Sequence, residues 1–290
     1  MVREPCVAGQ FYENSFDSLN KQIENCFYDK RGPGDLPIEK RSDKKISAIL
    51  VPHAGYMFSG ACAAWAYKEI AESKFPDAFL LLGPNHYGSG SGLSIGDWKT
   101  PLGLVKTHKD LVRGIKENTD LEIAEHNHIT EHSLEVQLPF LQFSNKDTLP
   151  NIRIVPIVIG KEHEYEKIAK QLHNYLIKTN KTIITIVSTD FTHYGPNYRY
   201  VPFSSDIPKR LAKLDKDAIE IIKKYDAPKF KEYVNRTGIT ICGFMPILVF
   251  LEMMQLKEKK PRSHLLMYYT SGDVLNDYKN SVSYVSMVFK

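Results

Sequence analysis

The chain has 290 residues, of which 42% are hydrophobic and 25% charged, with a net charge of +4 and four cysteines. That is an ordinary globular composition, and it excludes a collagen-like, low-complexity or disulfide-stapled chain. The small positive balance lies in helix-like segments such as KDLVRGIKEN, interleaved with acids, so it reads as a solvated face and not as a nucleic-acid surface.

The cysteines are scattered, with no CxxC pair, which points to reduced thiols. The opening MVREPCVAGQFY has no apolar core of a signal peptide. The longest apolar run, residues 241–251, is short for a bilayer and contains Pro246. A soluble, cytoplasmic protein without membrane contact is the expectation.

Along the chain, residues 46–51 are β-branched and apolar and read as a buried strand that runs out into Pro52-His53. The Ala-rich stretch 59–73 predicts a helix with Ser59 as its N-cap. Residues 30–45 are the most loop-like. A strand over 79–82 delivers Gly83-Pro84-Asn85-His86. Helices are expected near 111–116 and 131–143, then a strand at 152–159, a helix at 164–178 and a strand at 182–187. That last strand leads to Asp190 and His193. Residues 209–225 and 229–235 read as helical, and a further helix opens near Cys242 and runs to 257. Strands at 265–269 and 282–289 close the chain.

This alternation predicts one three-layer α/β/α domain over residues 1–290, with a central mixed, largely parallel sheet. Ligands of such sheets bind beyond the carboxyl ends of the strands. Three strands deliver His53, His86 and the Asp190/His193 pair to that edge, the arrangement a metal site requires. Cys242 has two readings. It is an inert core cysteine, or a thiolate favoured by the start of a helix and able to join the site. An acid at Asp190, directly after a buried strand, needs a partner, so it is expected to stabilise His193 or another site histidine.

HITEH, residues 128–132, matches the inverted zincin pattern, which needs both histidines on one helical turn. Thr130 resembles an N-cap, which would leave His128 outside the helix and His132 alone in the crevice.

With these residues assembled, the sequence resembles the Memo family, named for a mediator of receptor-driven cell motility and widespread in archaea and bacteria. The resemblance rests on AGQFY, PHAGYMFSG, LGPNH, EHSLEVQLP, IVPIVIG, STDFTHYG and TICG, in order along nearly the whole chain. It implies a fold like that of the class III extradiol dioxygenases, which hold iron(II) on two histidines and a glutamate and use another histidine as acid/base. Carried over, the metal histidines fall on His53 and His86 and the third ligand position on Cys242. The acid/base falls on His193 with Asp190 beside it, and His132 lines the cleft.

Some members carry a histidine before the AG of the first motif, where this chain has Val7. The resemblance implies a transition metal, iron(II) or copper, with redox chemistry, and a thiolate in place of a carboxylate admits zinc as well. It also implies a small molecule or peptide in the cleft, and radical-SAM and AMMECR-like protein partners. A non-catalytic peptide- or partner-binding module that reuses the cleft is the alternative, with a zinc hydrolase through HITEH third.

Overall fold

The structure is a computed structural model that describes residues 2–38, 41–88, 90–161 and 164–290. Its elements in chain order are β1 (Val2–Arg3), α1 (Phe16–Tyr28), β2 (Ala48–Val51), α2 (Tyr56–Ala71), β3 (Ala78–Pro84), β4 (Gly92–Leu93), β5 (Asp97–Thr100), β6 (Gly103–Thr107) and α3 (Lys109–Asn118). There follow α4 (Gln137–Phe143), β7 (Arg153–Ile159), α5 (Tyr165–Lys178), β8 (Ile183–Ser188), β9 (His193–Tyr194), α6 (Ile207–Ile222) and α7 (Ala227–Thr237). The chain ends with α8 (Phe244–Gln255), β10 (Ser263–Thr270), α9 (Ser271–Leu275) and β11 (Ser281–Phe289).

The sheet runs β1-β5-β6-β7-β3-β8-β2-β11-β10, with β4 on β7 and β9 on β11. Its centre, β6-β7-β3-β8-β2, is parallel; β11 and β10 extend it antiparallel. Side chains alternate across a strand, so both faces of a covered sheet must be apolar. Leu50, Leu80, Leu82, Val155 and Ile157 face α3, α5, α6, α7 and α8. Ile49, Val51, Phe79, Leu81, Ile154 and Ile186 face α1, α2 and α4. The result is the α/β/α layering that the alternation of elements predicts.

Three expected boundaries move. The helix expected to start at Ser59 begins at Tyr56 with Gly55 as N-cap, and Ser59 sits inside it, donating its hydroxyl to Ala54 O at 2.9 Å. The start comes earlier because the Tyr56 N–H already has an acceptor in Phe11 O, at 2.7 Å. The helix expected over 131–143 forms only from Gln137, so Thr130 is no N-cap. The preceding residues form turns, because Glu131 and Ser133 are engaged elsewhere. The helix expected from Cys242 begins at Phe244, with Gly243 as N-cap. Residues 16–28, to which the sequence reading assigns no element, form α1, capped by Ser15. Among the described residues, no helix is long and apolar enough to cross a membrane.

Candidate metal centre

The exits of β2, β3 and β8 lie side by side, and each sends its next polar side chains over the carboxyl edge of the sheet. His53 follows β2, His86 follows β3, and Asp190 and His193 follow β8. Cys242 comes from the turn before α8, held there because the Gly243 N–H donates to Thr189 Oγ1 at 3.0 Å. His53, His86 and Cys242 offer ligand atoms that all lie within 4.8 Å of one another, and Cys242 Sγ is 3.2 Å from His53 Nε2. The rings of His53 and His86 meet edge-on with centroids 5.3 Å apart.

The cleft above them holds about 450 Å³ and is walled by Phe11, Phe58, Tyr198, Leu275, Val282 and Tyr284. A larger hollow of about 570 Å³ over α1 and α4 gathers no histidine or cysteine, so volume alone does not mark the site.

Hydrogen bonds fix which nitrogen each ring presents. Ser188 Oγ gives its single hydrogen to Ser133 O at 2.6 Å and accepts from Gln137 Nε2 at 2.8 Å. Its remaining contact, His53 Nδ1 at 2.9 Å, must therefore be an N–H donor. His86 Nδ1 donates to Glu131 Oε1 at 3.0 Å. His193 Nδ1 faces two carbonyls, Phe191 O at 2.9 Å and Thr240 O at 3.0 Å, and can only donate. In each neutral ring the lone pair then sits on Nε2.

Electrostatics separate the groups. Burial, then the neighbouring histidines, holds His53 well below the ordinary histidine range. Burial brings His132 down to about 4. Burial alone would raise Glu131, but its hydrogen bond to His86 and the backbone N–H groups of His86 and Ser133 outweigh it and set the carboxyl at about 2. Asp190 is raised by burial, opposed by His193 and the N–H groups of His53 and Ala54. Cys242 is pushed well up by burial and then by the Asp190 charge, not lowered as its place ahead of a helix suggested. The helix starts two residues later, and desolvation exceeds the gain from the Asp190 N–H, which donates to Sγ at 3.1 Å.

Asp190 was expected to stabilise His193 or another site histidine, but its carboxylate hydrogen-bonds neither imidazole and grips the backbone of His53. Asp190 Oδ1 accepts the His53 N–H at 2.9 Å, and Oδ2 lies 3.9 Å from His53 Nε2. His132 is in the cleft, stacked on His86 at 4.8 Å and 16°. His128 is not. It is fully buried, 3.2 Å from Gly92 O through Nε2 and edge-on to Trp98.

A second donor group, His86, Glu131 and His132, is equally compact. An imidazole lone pair lies in its ring plane, so two nearly parallel stacked rings do not aim at one point, and the His86 nitrogen facing Glu131 already donates to it.

Sequence reasoning passed over Glu131, Ser188 and Thr240, whose backbone and side chain grip His193. The available signal was EHSLE itself. Its two acids stand directly ahead of the apolar run that forms α4, where they must be desolvated, and that requires donors fixed around them.

Fold and cleft together define an α/β/α protein with a histidine–cysteine donor set at the carboxyl edge of its sheet. A family model described as Memo-like protein matches residues 3–288. A MEMO1 family protein of Methanobrevibacter smithii is 35% identical over 299 residues, covering all of both chains. Another, of Sulfurisphaera tokodaii, is 38% identical over 302 residues, covering all of this chain and 99% of that one. The crystal structure of an uncharacterized Escherichia coli K12 protein aligns with a TM-score of 0.47 and 13% identity, over 85% of this chain and all of that one. The chain belongs to the Memo-like family.

Proposed function

We propose that the cleft is a transition-metal centre held by His53 Nε2, His86 Nε2 and Cys242 Sγ, and that it serves metal-dependent redox chemistry. One observation carries the reading. Both imidazoles have the other nitrogen committed to a buried acceptor, Ser188 or Glu131, so both Nε2 lone pairs are left for the cleft, where that of His53 meets the Cys242 thiol at 3.2 Å. Ligating histidines are typically held in this way. A bound transition metal supplies Lewis acidity and electron transfer. Two imidazoles and a thiolate are softer than two imidazoles and a carboxylate, which favours copper or thiolate-bound iron, with zinc third.

The chain's own groups have distinct tasks under this reading. Cys242 would hold the metal as a thiolate, its proton passing to solvent, with the Asp190 N–H still donating to the sulfur. Asp190 holds the 53–54 turn through backbone N–H groups. His193, its Nδ1–H locked on two carbonyls, has Nε2 left to take or return a proton. The aromatic and aliphatic wall offers a bound molecule an apolar surface.

Metal analysis of protein purified without chelator or affinity metal tests the proposal, followed by oxygen uptake. Stoichiometric iron or copper with uptake supports it; protein that retains no metal overturns it. A second reading, peptide or small-molecule binding without turnover, draws on the exposed apolar rim of Tyr87, Tyr198 and Leu275. Metal-loaded protein that takes up no oxygen yet retains a peptide in the cleft would select it.

A further inference from the structure

The two groups that commit the Nδ1 atoms of His53 and His86 are tied to one stretch of chain, residues 131–137, which contributes no ligand of its own to the set His53, His86 and Cys242. Glu131 is fully buried and takes three N–H donors on two oxygens: His86 N at 2.6 Å on Oε2, with His86 Nδ1 at 3.0 Å and Ser133 N at 2.7 Å on Oε1. Ser133 then reaches both neighbouring strand exits. Its hydroxyl donates to Pro84 O at 3.1 Å, two residues before His86, and its carbonyl accepts from Ser188 Oγ. Gln137 completes the span by donating to Ser188 Oγ and, at 3.0 Å, to Pro52 O, the residue before His53. An unbroken hydrogen-bonded path therefore runs His86–Glu131–Ser133–Ser188–His53.

We propose that Glu131 and Ser188 are positioning residues of the metal site, the two jaws of a clamp built on residues 131–137: Glu131 sets the tautomer and direction of His86, and Ser188 those of His53. The proposal rests on the metal reading of the cleft given above. A buried polar cluster that merely satisfied itself would not need its ring hydrogen bonds to fall on Nδ1 of both His53 and His86. Nor would it need to bind the backbone one residue before His53 and two before His86.

E131Q is the discriminating variant. It keeps the shape but offers a single acceptor oxygen to three N–H donors, so the His86 Nδ1–H loses its fixed acceptor. S188A removes the other jaw. Imidazole ¹⁵N spectra of histidine-labelled protein report the tautomer of each ring without any metal present. Cobalt(II) titration, read through its thiolate charge-transfer absorption and by chelator competition, reports assembly of the site.

Wild type should show the Nδ1–H tautomer at both rings. E131Q should lose it at His86 and S188A at His53, each with cobalt affinity lower by roughly 10–100-fold. Wild-type protein that binds neither cobalt, copper nor iron overturns the metal reading and the clamp's purpose with it. Wild type that binds while folded E131Q and S188A keep its tautomers and affinity overturns the clamp alone. If E131Q does not fold, S188A decides by the same two readouts.

Discussion

His53 and His193 share one cleft, yet their rings are held by different kinds of group. A side-chain hydroxyl holds His53, and two backbone carbonyls hold His193. The carbonyls survive any side-chain change nearby, so His193 is built to keep its orientation whether or not the donor set of His53, His86 and Cys242 is filled. His193→Ala is expected to abolish turnover and leave metal content near that of wild type, whereas His53→Ala and Cys242→Ala lose the metal. Elemental analysis beside oxygen uptake checks both, and a metal-free His193→Ala protein would make His193 a ligand instead.

His128, outside the cleft, makes a separate prediction about pH. Burial brings it down from 6.5 to about 4, so the neutral ring is the form that folding retains. Its contribution is whole above about pH 6.5 and is lost as the pH falls toward 4, an effect on the order of 3 kcal/mol. The stability gap between wild type and His128→Asn should narrow by that amount between pH 7 and 4 in chemical denaturation. A gap that stays constant would show that the ring does not titrate on unfolding.

At the scale of elements, the turn into α8 is the tightest device of the site. A Cβ on Gly243 would sit 2.3 Å from Thr189 Cβ and 2.4 Å from its Oγ1, so the turn has no room for a side chain. Gly243→Ala must push the turn off β8 and carry Cys242 Sγ with it, at a cost of about 1–3 kcal/mol. It should therefore weaken metal binding although every ligand remains, which metal titration of the folded variant would show; unchanged affinity would mean the turn has slack.

Elements of this kind also mark where sequence reading stops. The strand exits were legible because apolar runs of four to eight residues ending in Pro-His or Pro-Asn-His cannot be mistaken for surface loops. Residues 131–136 carry helix-like spacing, and nothing local says that Glu131 will be spent on His86 rather than on a helix. Cys242 lay two residues from where its helix begins, enough for desolvation to reverse the expected effect on the thiol. A partner 45 residues away decided the first outcome and burial the second, and local pattern reports neither.

Across the whole molecule, the N-terminal strand secures the segment that arranges the site. Arg3 pairs with the buried Glu135 and donates to His128 O at 2.9 Å and Glu131 O at 2.8 Å. Glu135 also accepts from Tyr12 at 2.6 Å. Arg3→Met would leave that carboxylate without its cation and should cost about 3–5 kcal/mol. Denaturant titration checks this, and a loss below about 1 kcal/mol would show that the amide and tyrosine donors suffice.

The sheet order carries a consequence in time. The strand that ends at His53 is among the first made, but its neighbours in the sheet are β8 and β11, and β11 is the last element of the chain. Strand β2 therefore waits, with one side unpaired, for almost the entire length of the chain to leave the ribosome. Cys242 likewise emerges long after both imidazoles. Were the cleft to take a metal as proposed, loading would follow completion of the chain, because a chain stopped before Ser281 carries every donor residue and still lacks the strand that closes the sheet beside β2.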